Sequence, residues 1–472
     1  MLGSTVDTTV NQWSLNPLVS LATSICTGSY LLWRLWSFTV KPWLRPDEPK
    51  PLPYWNPFLG EPFTLRLGSK KMIILTDNRD IATTWRDTAA LTFDPFVQQF
   101  MITLDISKKT QETLFRENST SMVQGENKSA SLLVKENPMH HAFYHLQMEW
   151  VKQQLSGNML ADIGDNLLGY INQSLRLARF STNLHSLINT LLKIRVPETL
   201  GVDPRFLEYY FGFEEAAWKM FYQYPRLLPG DLYGAAKSIL STMTNFNDIL
   251  QTDGLDMVWM FRTIELEMRQ LDLPSRDIAI MSSMLFWGSN NNAHTICFWT
   301  ISHIITSSKA CSPSGSVDLT ILTNHCPQLD AIWHEVLRLY TAVSLIRIAI
   351  QKTSINSKAI NKGDQVMSPF RQFQLNRELF GSDATEFHPE RFLKDKKLAN
   401  QKGYHPLGGG NTYRPGRFLA KQEVYTLVAL MLYRFDIDVE DGSLPTVNAA
   451  EPSLGAMRPI GNIRVKVSER KL

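Results

Sequence analysis

Apolar residues recur at helical spacing through most of the middle of the chain. In residues 149–175 and 275–307, apolar side chains stand three or four positions apart, which predicts helices. Residues 62–77 alternate instead around Gly68-Ser69, as expected for two strands joined by a turn. Short strands and turns are also expected between residues 345 and 370. The pattern predicts a mainly α fold with small β-sheets.

The N-terminal segment contains an apolar run that begins at Leu15 and ends near Trp36. About 20 such residues suffice to cross the core of a bilayer. No basic segment or small-residue cleavage site precedes the main body, so residues 1–40 are interpreted as an anchor, with a signal peptide or a buried helix as alternatives. The basic residues Arg34 and Lys41 lie at or after its end, which places the main domain in the cytosol. A single-pass protein of the endoplasmic reticulum membrane is therefore expected.

Residues 41–60 are rich in proline and predict a stiff hinge, because proline removes helical hydrogen bonds. Beyond this hinge no linker, repeat or shift of composition divides the chain. Residues 61–472 are therefore expected to form one large domain.

Composition narrows the possible partners. A formal net charge of +3 without a long basic run argues against nucleic acid. The four cysteines show no metal-binding spacing, so no metal site and no disulfide framework are predicted, and a reducing compartment is expected. The 24 Phe and 12 Trp suit a large core that has room for a hydrophobic small molecule, although core packing alone would also explain them.

Three short motifs follow one another in the C-terminal third. Glu335 and Arg338 stand three positions apart on a predicted helix and can pair. Arg391 lies in the proline-containing segment 387–392. The stretch 405–420 then carries glycines, Arg414 and a Pro-Gly pair that leads into an apolar helix, so position 414 lies just before a helix N-terminus.

Together these motifs resemble the haem-thiolate cytochrome P-450 superfamily over essentially the whole chain. That family has a Glu-x-x-Arg helix, a Phe-x-Pro-x-Arg-Phe segment and a loop of the form Phe-Gly-x-Gly-x-x-x-Cys-x-Gly. The resemblance implies a cytochrome P-450 fold, in which Glu335, Arg338 and Arg391 form a structural lock on the loop.

Residues 286–299 (FWGSNNNAHTICFW) resemble the sterol 7α-hydroxylase and prostacyclin synthase branch of that superfamily. The resemblance implies that Gly288 to Thr295 line the pocket over a haem, and Asn292 and His294 are the candidate polar contacts to substrate. From the residues alone, the asparagine run equally suits a helix kink whose amides are hydrogen-bonded.

Arg414 occupies the position of the family's axial cysteine. A guanidinium stays protonated and only donates hydrogen bonds, so Arg414 is not an iron ligand. We expect it to reach solvent or an acidic partner. Tyr413 and His405 are alternative ligands in the same stretch, but neither occupies the ligand position. Arg347 and Arg417 match positions that often bind haem propionates, with surface or ion-pair roles as the alternative.

The leading hypothesis is therefore a cytochrome P-450-like protein that performs cyclisation or isomerisation, without oxidation, on a terpenoid, sterol or polyketide-type substrate of secondary metabolism. An alternative is a monooxygenase that retains haem and takes electrons from an NADPH-dependent reductase. A third is a non-catalytic scaffold or lipid-binding protein.

Overall fold

A computed structural model describes a set of ranges that together cover most of the chain: residues 17–44, 50–51, 62–67, 70–116, 141–155, 160–161, 163–169, 171, 184, 188, 205–221, 230–252, 259–306, 325–409, 416–440, 444–449, 451 and 453–470. The chain divides into two compact units. The first comprises residues 1–91 and 347–367, and the second residues 92–346 and 368–472.

A six-stranded sheet dominates the first unit, in the order β1-β2-β3-β8-β5-β4. Its strands are β1 (Lys50–Pro51), β2 (Phe63–Leu67), β3 (Lys70–Ile74), β4 (Leu91–Thr92), β5 (Ser344–Ala349) and β8 (Gln365–Pro369). A separate hairpin joins β6 (Thr353–Ile355) to β7 (Lys358–Ile360). The antiparallel β2–β3 pair is the one that the alternating sequence predicted. On its other side, β3 pairs with β8 in parallel. Apolar side chains from β3, β8 and the hairpin close a small core.

The N-terminal residues of this unit are helical: α1 (Pro17–Leu35), a π-helical turn (Trp36–Val40) and α2 (Lys41–Leu44). Within the described residues, no helix is both long enough and apolar enough to cross a bilayer. The predicted membrane anchor, and with it the single-pass location in the endoplasmic reticulum, is therefore wrong. The physical reason is composition, since Ser, Thr and Gly residues interrupt the apolar run of α1 between positions 20 and 29, and the charged Arg34 lies in its last turn. Helix α3 (Asn78–Arg86) completes the unit.

The second unit is mainly helical. Its helices are α4 (Asp94–Thr103), α5 (Lys108–Phe115), α6 (Phe143–Gln154), α7 (Phe206–Phe221), α8 (Gly230–Thr252), α9 (Trp259–Gln270), α10 (Ser275–Asn290), α11 (Ala293–Thr306), α12 (Pro327–Tyr340), α13 (Arg371–Gln374), α14 (Arg377–Phe380), α15 (Glu390–Lys394) and α16 (Arg417–Arg434). Two small antiparallel pairs join β9 (Phe435–Val439) to β12 (Val465–Glu469) and β10 (Thr446–Val447) to β11 (Pro459–Ile460).

Helix α11 is the centre of this unit. All of its residues from Ala293 to Ile304 are buried, as expected for a helix whose apolar residues run all round rather than along one stripe. It packs against α12 and α16 in the largest apolar cluster, which includes Trp299 and Tyr425. The indole ring of Trp299 stacks on Tyr340 at 3.9 Å between centroids, and its Nε1 donates to the carbonyl of Met457 at 2.8 Å. These contacts tie the C-terminal segment to the core.

A fully buried ion pair stands on α12. The Nε of Arg338 donates to Oε2 of Glu335 at 2.8 Å and its Nη2 donates to Oε1 at 2.7 Å, so the pair is bidentate. Both side chains are fully buried. Arg391 adds a third charge, because its Nε donates to Glu335 Oε1 at 3.1 Å. The structure thus brings together the three residues that the sequence analysis grouped.

Arg338 and Glu335 also form hydrogen bonds with backbone groups between the last residue of α13 and residue 388. Arg338 donates to the carbonyls of Gln374 at 2.9 Å and Glu386 at 3.1 Å, and also to that of Ala384. The amide of His388 donates to Glu335 Oε1 at 2.8 Å. Charged side chains thus satisfy backbone groups at the end of α13 and in the turns that follow α14.

The substitution Arg338→Met tests this buried pair. Removing one partner leaves the Glu335 carboxylate buried without its counter-charge, which typically costs about 3–5 kcal/mol. We expect a loss of that size in the free energy of unfolding, measured by urea denaturation. Lys152→Met is the matched control, because Lys152 forms an exposed pair with Glu149 at 2.7 Å, also three positions apart. An exposed pair contributes about 1 kcal/mol or less. Equal losses for the two variants would contradict the prediction.

Candidate functional site

The asparagine run divides one long helical stretch into α10 and α11. Asn290 donates through Nδ2 to the carbonyl of Phe286 at 2.7 Å, and Ser289 donates to that of Leu285 at 2.9 Å. Side chains that bond to the preceding turn of their own helix compete with the backbone ladder and loosen it. Asn291 and Asn292 form the turn between the two helices. The structure therefore contains the kink that the residues alone suggested.

Asn292 is fixed by the C-terminal segment. Its Oδ1 accepts from the backbone amide of Ala456 at 2.8 Å, and its Nδ2 donates to Asn291. A Cβ atom built on Gly455 would lie 2.0 Å from Asn292 Oδ1, so any larger residue there would have to displace the Asn292 side chain. Both polar ends of this side chain are engaged by protein. The role of Asn292 as a substrate contact stays a prediction.

His294 lies two residues further on and is 5% exposed. Its Nε2 lies 3.4 Å from Oε1 of Glu214 on α7, and its ring meets Phe211 edge-on at 5.6 Å between centroids. The same Glu214 oxygen lies 3.7 Å from Nη2 of Arg458, whose Nη1 is 3.5 Å from Glu215. A carboxylate, an imidazole and a guanidinium thus meet between α7, α11 and the C-terminal segment.

The carboxyl group of Glu214 is almost completely shielded, with 8% of its side chain exposed. Burial, opposed by the charge of Arg458, raises the pKa of Glu214 to about 8. Its second oxygen, Oε2, is buried and has no hydrogen-bond partner in the described part of the chain. At neutral pH this carboxyl group is therefore largely a neutral acid.

A cavity of about 50 Å³ opens beside this carboxyl group, large enough for a few water molecules. Polar side chains on its wall include Asn291, Asn292 and Arg458 in addition to Glu214, while Trp218 and Trp287 supply apolar surface. A concave site with a few convergent polar groups and an acid of perturbed pKa is the usual form of a small-molecule site. This cavity is the candidate functional site.

Sequence reasoning missed Glu214 and Arg458. Glu214 was recognisable in principle, because it stands three positions after Phe211 and three before the buried Ala217 on an otherwise apolar helix face. A carboxylate on a buried face needs a partner. Arg458 lies in a C-terminal segment whose sequence has no helical or strand pattern. Nothing in the sequence around it predicts that its side chain lies near α7.

Three comparisons bear on the identity of this fold. The family model of cytochrome P-450 matches residues 322–467. A cytochrome P-450 monooxygenase of Penicillium oxalicum is 22% identical over 92% of this chain and 96% of its own length. A rabbit (Oryctolagus cuniculus) 7-alpha-hydroxycholest-4-en-3-one 12-alpha-hydroxylase is 27% identical over 39% of this chain and 43% of its own. Among solved structures, retinoic-acid-bound cyanobacterial CYP120A1 aligns with a TM-score of 0.60 at 16% identity, over 87% of this chain and 92% of that one.

The chain has the cytochrome P-450 fold. The family model and the relatives together support the cytochrome P-450 superfamily, which confirms the superfamily-level resemblance and the mainly α fold with small sheets. The Glu335–Arg338–Arg391 cluster lies inside the matched residues. Its role as a lock on the following loop stays a prediction.

The cytochrome P-450 family normally binds haem, so its donor residues can be tested against this chain. Arg414 and Tyr413 lie outside the described residues, and so does the rest of the loop from 410 to 415. Within residues 322–467 the sequence contains a single cysteine, Cys326, which immediately precedes α12 rather than the final helix α16. The sequence therefore has no cysteine in the stretch that leads into α16, and the identification of position 414 as the family's ligand position stays a prediction.

The other predicted haem contacts lie in different units of the chain. Arg347 is on β5 and is 7% exposed. Arg417 is the first residue of α16, and its guanidinium lies 4.2 Å from the ring centroid of Phe418. His405 packs against Phe370 at 5.2 Å between centroids, and burial lowers its pKa. Propionate binding by the two arginines stays a prediction.

Gly455→Ala tests the contact between the kink and the C-terminal segment. The new methyl group would displace the Asn292 side chain and leave the Ala456 amide unsatisfied, at a cost of about 1–3 kcal/mol. We expect that loss in urea denaturation. Gly212→Ala is the control, because a Cβ there meets nothing within 4 Å, and alanine favours a helix. In an Asn292→Ala background the cost of Gly455→Ala should largely vanish, and an undiminished cost would contradict this account.

Glu214→Gln tests the buried acid through stability. Because the pKa of Glu214 is raised in the folded protein, the folded state holds a proton that the unfolded state releases above about pH 4.5. This contribution is fully present below that pH and is lost as pH rises through about 8. The wild type should therefore lose stability relative to Glu214→Gln between about pH 5 and pH 8, by up to about 1.4 kcal/mol per pH unit. Glu215→Gln keeps the Glu214 carboxyl group, so it should lose stability as the wild type does, at a somewhat lower pH because the repulsion from Glu215 is removed. A Glu214→Gln curve in urea denaturation that runs parallel to the wild-type curve would refute the assignment.

Proposed function

We propose that this protein uses the cytochrome P-450 fold without thiolate-ligated haem and catalyses a non-oxidative rearrangement, cyclisation or isomerisation, of a hydrophobic substrate. The observation that carries this proposal is Arg414 at the position of the axial cysteine, in a sequence with no cysteine after Cys326. The residues present do not fit a haem-thiolate centre, and no step of the proposed reaction passes through one.

Coordination chemistry supports this reading of Arg414. A thiolate in that position is an anion next to a helix N-terminus, where the helix dipole stabilises it. A guanidinium stays cationic, has no electron pair to give to iron and is unfavourable beside the same dipole. An iron-dependent oxygenation therefore lacks its electron-donating ligand, whereas acid catalysis and substrate positioning need none.

The substrate class is proposed from the relatives and from the site. The Penicillium relative is named as a monooxygenase, the rabbit relative as a sterol hydroxylase, and the cyanobacterial structure holds retinoic acid. A further relative, 28% identical over 43% of this chain and 43% of its own, is an indoleacetaldoxime dehydratase of Arabidopsis thaliana. Loss of water involves no net oxidation. We propose a terpenoid, sterol or polyketide-type substrate of secondary metabolism.

The second candidate is an ordinary monooxygenase that binds haem and receives electrons from an NADPH-dependent reductase. The names of the relatives favour it, since hydroxylases and a monooxygenase are among them. It requires a ligand other than Arg414.

Absorption spectroscopy separates the two candidates. We expect the purified protein to lack the carbon monoxide difference band of a haem thiolate, because position 414 supplies no sulfur. Arg414→Cys should restore that band if the remaining pocket accepts haem, whereas Lys402→Cys, which adds an exposed thiol upstream of the loop, should not. A thiolate band in the wild type would overturn the proposal in favour of the monooxygenase.

A further inference from the structure

Glu214 combines three features that together point to a ligand. Its side chain is 8% exposed, its Oε2 has no hydrogen-bond partner among the described residues, and it lines a cavity. Leaving a buried polar oxygen unsatisfied costs about 1–3 kcal/mol. A group that binds in the cavity and pairs with this oxygen would remove that cost.

We propose that Glu214 is the proton donor of the site and that it acts on an oxygen atom of the substrate placed in the cavity. The inference rests on the non-oxidative function proposed above. It specifies the substrate as a hydrophobic molecule with one carbonyl oxygen, since a cavity of about 50 Å³ admits a small polar end rather than a whole ring system.

The surroundings suit an acid that must lose and regain a proton. Neutral Glu214 can donate from Oε2 because its pKa is about 8, which keeps it protonated at neutral pH. Once the proton has left, Nη2 of Arg458 and Nε2 of His294 lie within 4 Å of Oε1 and stabilise the carboxylate. His294 and Arg458 are thus positioning residues, and Glu214 is the catalytic one.

The proton transfers balance within the site. The Oε2–H bond of Glu214 breaks as an O–H bond forms on the substrate carbonyl, which leaves the carbon skeleton electron-poor. The Glu214 carboxylate then takes a proton from a C–H bond next to that carbonyl, and the C–H electron pair becomes the double bond of an enol. Glu214 ends protonated, so the step is an isomerisation that needs no oxidant, reductant or second substrate.

The charged groups that face Glu214 come from three elements. His294 belongs to α11, Arg458 to the C-terminal segment and Glu215 to Glu214's own helix α7, while Glu451 stands elsewhere on the cavity wall. The repulsion from Glu215 raises the pKa of Glu214 and the charge of Arg458 lowers it. Glu215 is 71% exposed and pairs with the same arginine, so a substitution there changes the charge near Glu214 but leaves the Glu214 carboxyl group in place.

The test measures binding of β-ionone, a terpenoid ketone, to the full-length protein by calorimetry from about pH 6 to pH 9. The wild-type affinity should fall about tenfold as pH rises through about 8, because the carboxylate no longer donates to the ketone. Glu214→Gln keeps the shape and a donor, so it should bind β-ionone with an affinity that does not change with pH. Glu215→Gln keeps the Glu214 carboxyl group, so its affinity should still fall as pH rises, at a somewhat lower pH because the repulsion from Glu215 is removed.

Infrared spectroscopy of the bound ketone supplies a second measurement. The carbonyl stretch of β-ionone should move to lower frequency in the wild type at pH 6 and return towards its free position at pH 9 or in Glu214→Leu. A pH-independent wild-type affinity, an unshifted carbonyl band, or no binding of β-ionone at any pH would each overturn the proposal. Neither measurement depends on haem or on turnover. A haem-thiolate spectrum would therefore contradict the proposed function, while binding of the ketone to Glu214 could still be observed.

Discussion

The carboxylate of Glu335, enclosed by Arg338 and Arg391, is the interaction on which the C-terminal part of the second unit depends. Taking these charges out of water is expensive, and only the complete set of partners repays it. The partners are mostly backbone groups of residues 374–388, a stretch with little regular structure. The ion cluster therefore ties the short helices and turns of this stretch to α12 through charge-assisted hydrogen bonds.

The sequence predicted those parts of the fold that local pattern determines. The β2–β3 hairpin and the long helices α10 and α11 follow from the spacing of apolar residues, and the Glu335–Arg338 pair follows from a separation of three positions on a helix. The prediction of a membrane anchor was wrong because it relied on the length of the apolar run. The hydroxyl residues within α1 make that run less apolar than a membrane-spanning helix requires. Length alone does not determine whether a helix spans a bilayer.

The candidate site was predicted only in part, and the reason is its long-range construction. His294 was identified, but its partner Glu214 is 80 positions away on α7, and Arg458 comes from beyond the last helix. The role of Asn292 as a substrate contact stays a prediction, and its Oδ1 accepts a hydrogen bond from the backbone amide of Ala456. Pairings between distant segments leave no periodic trace in a sequence. What remains visible is the anomaly of a carboxylate on a buried helix face.

Hydrogen bonds of Asn292 in the kink and of Trp299 on α11 hold residues 453–458 against the core. This segment also contributes Arg458 and a wall of the cavity. A protein truncated before Ser453 would keep every helix named above, but it would lack one wall of the cavity and the arginine that pairs with Glu214. A deletion that removes residues 453–458 would therefore change the proposed site directly.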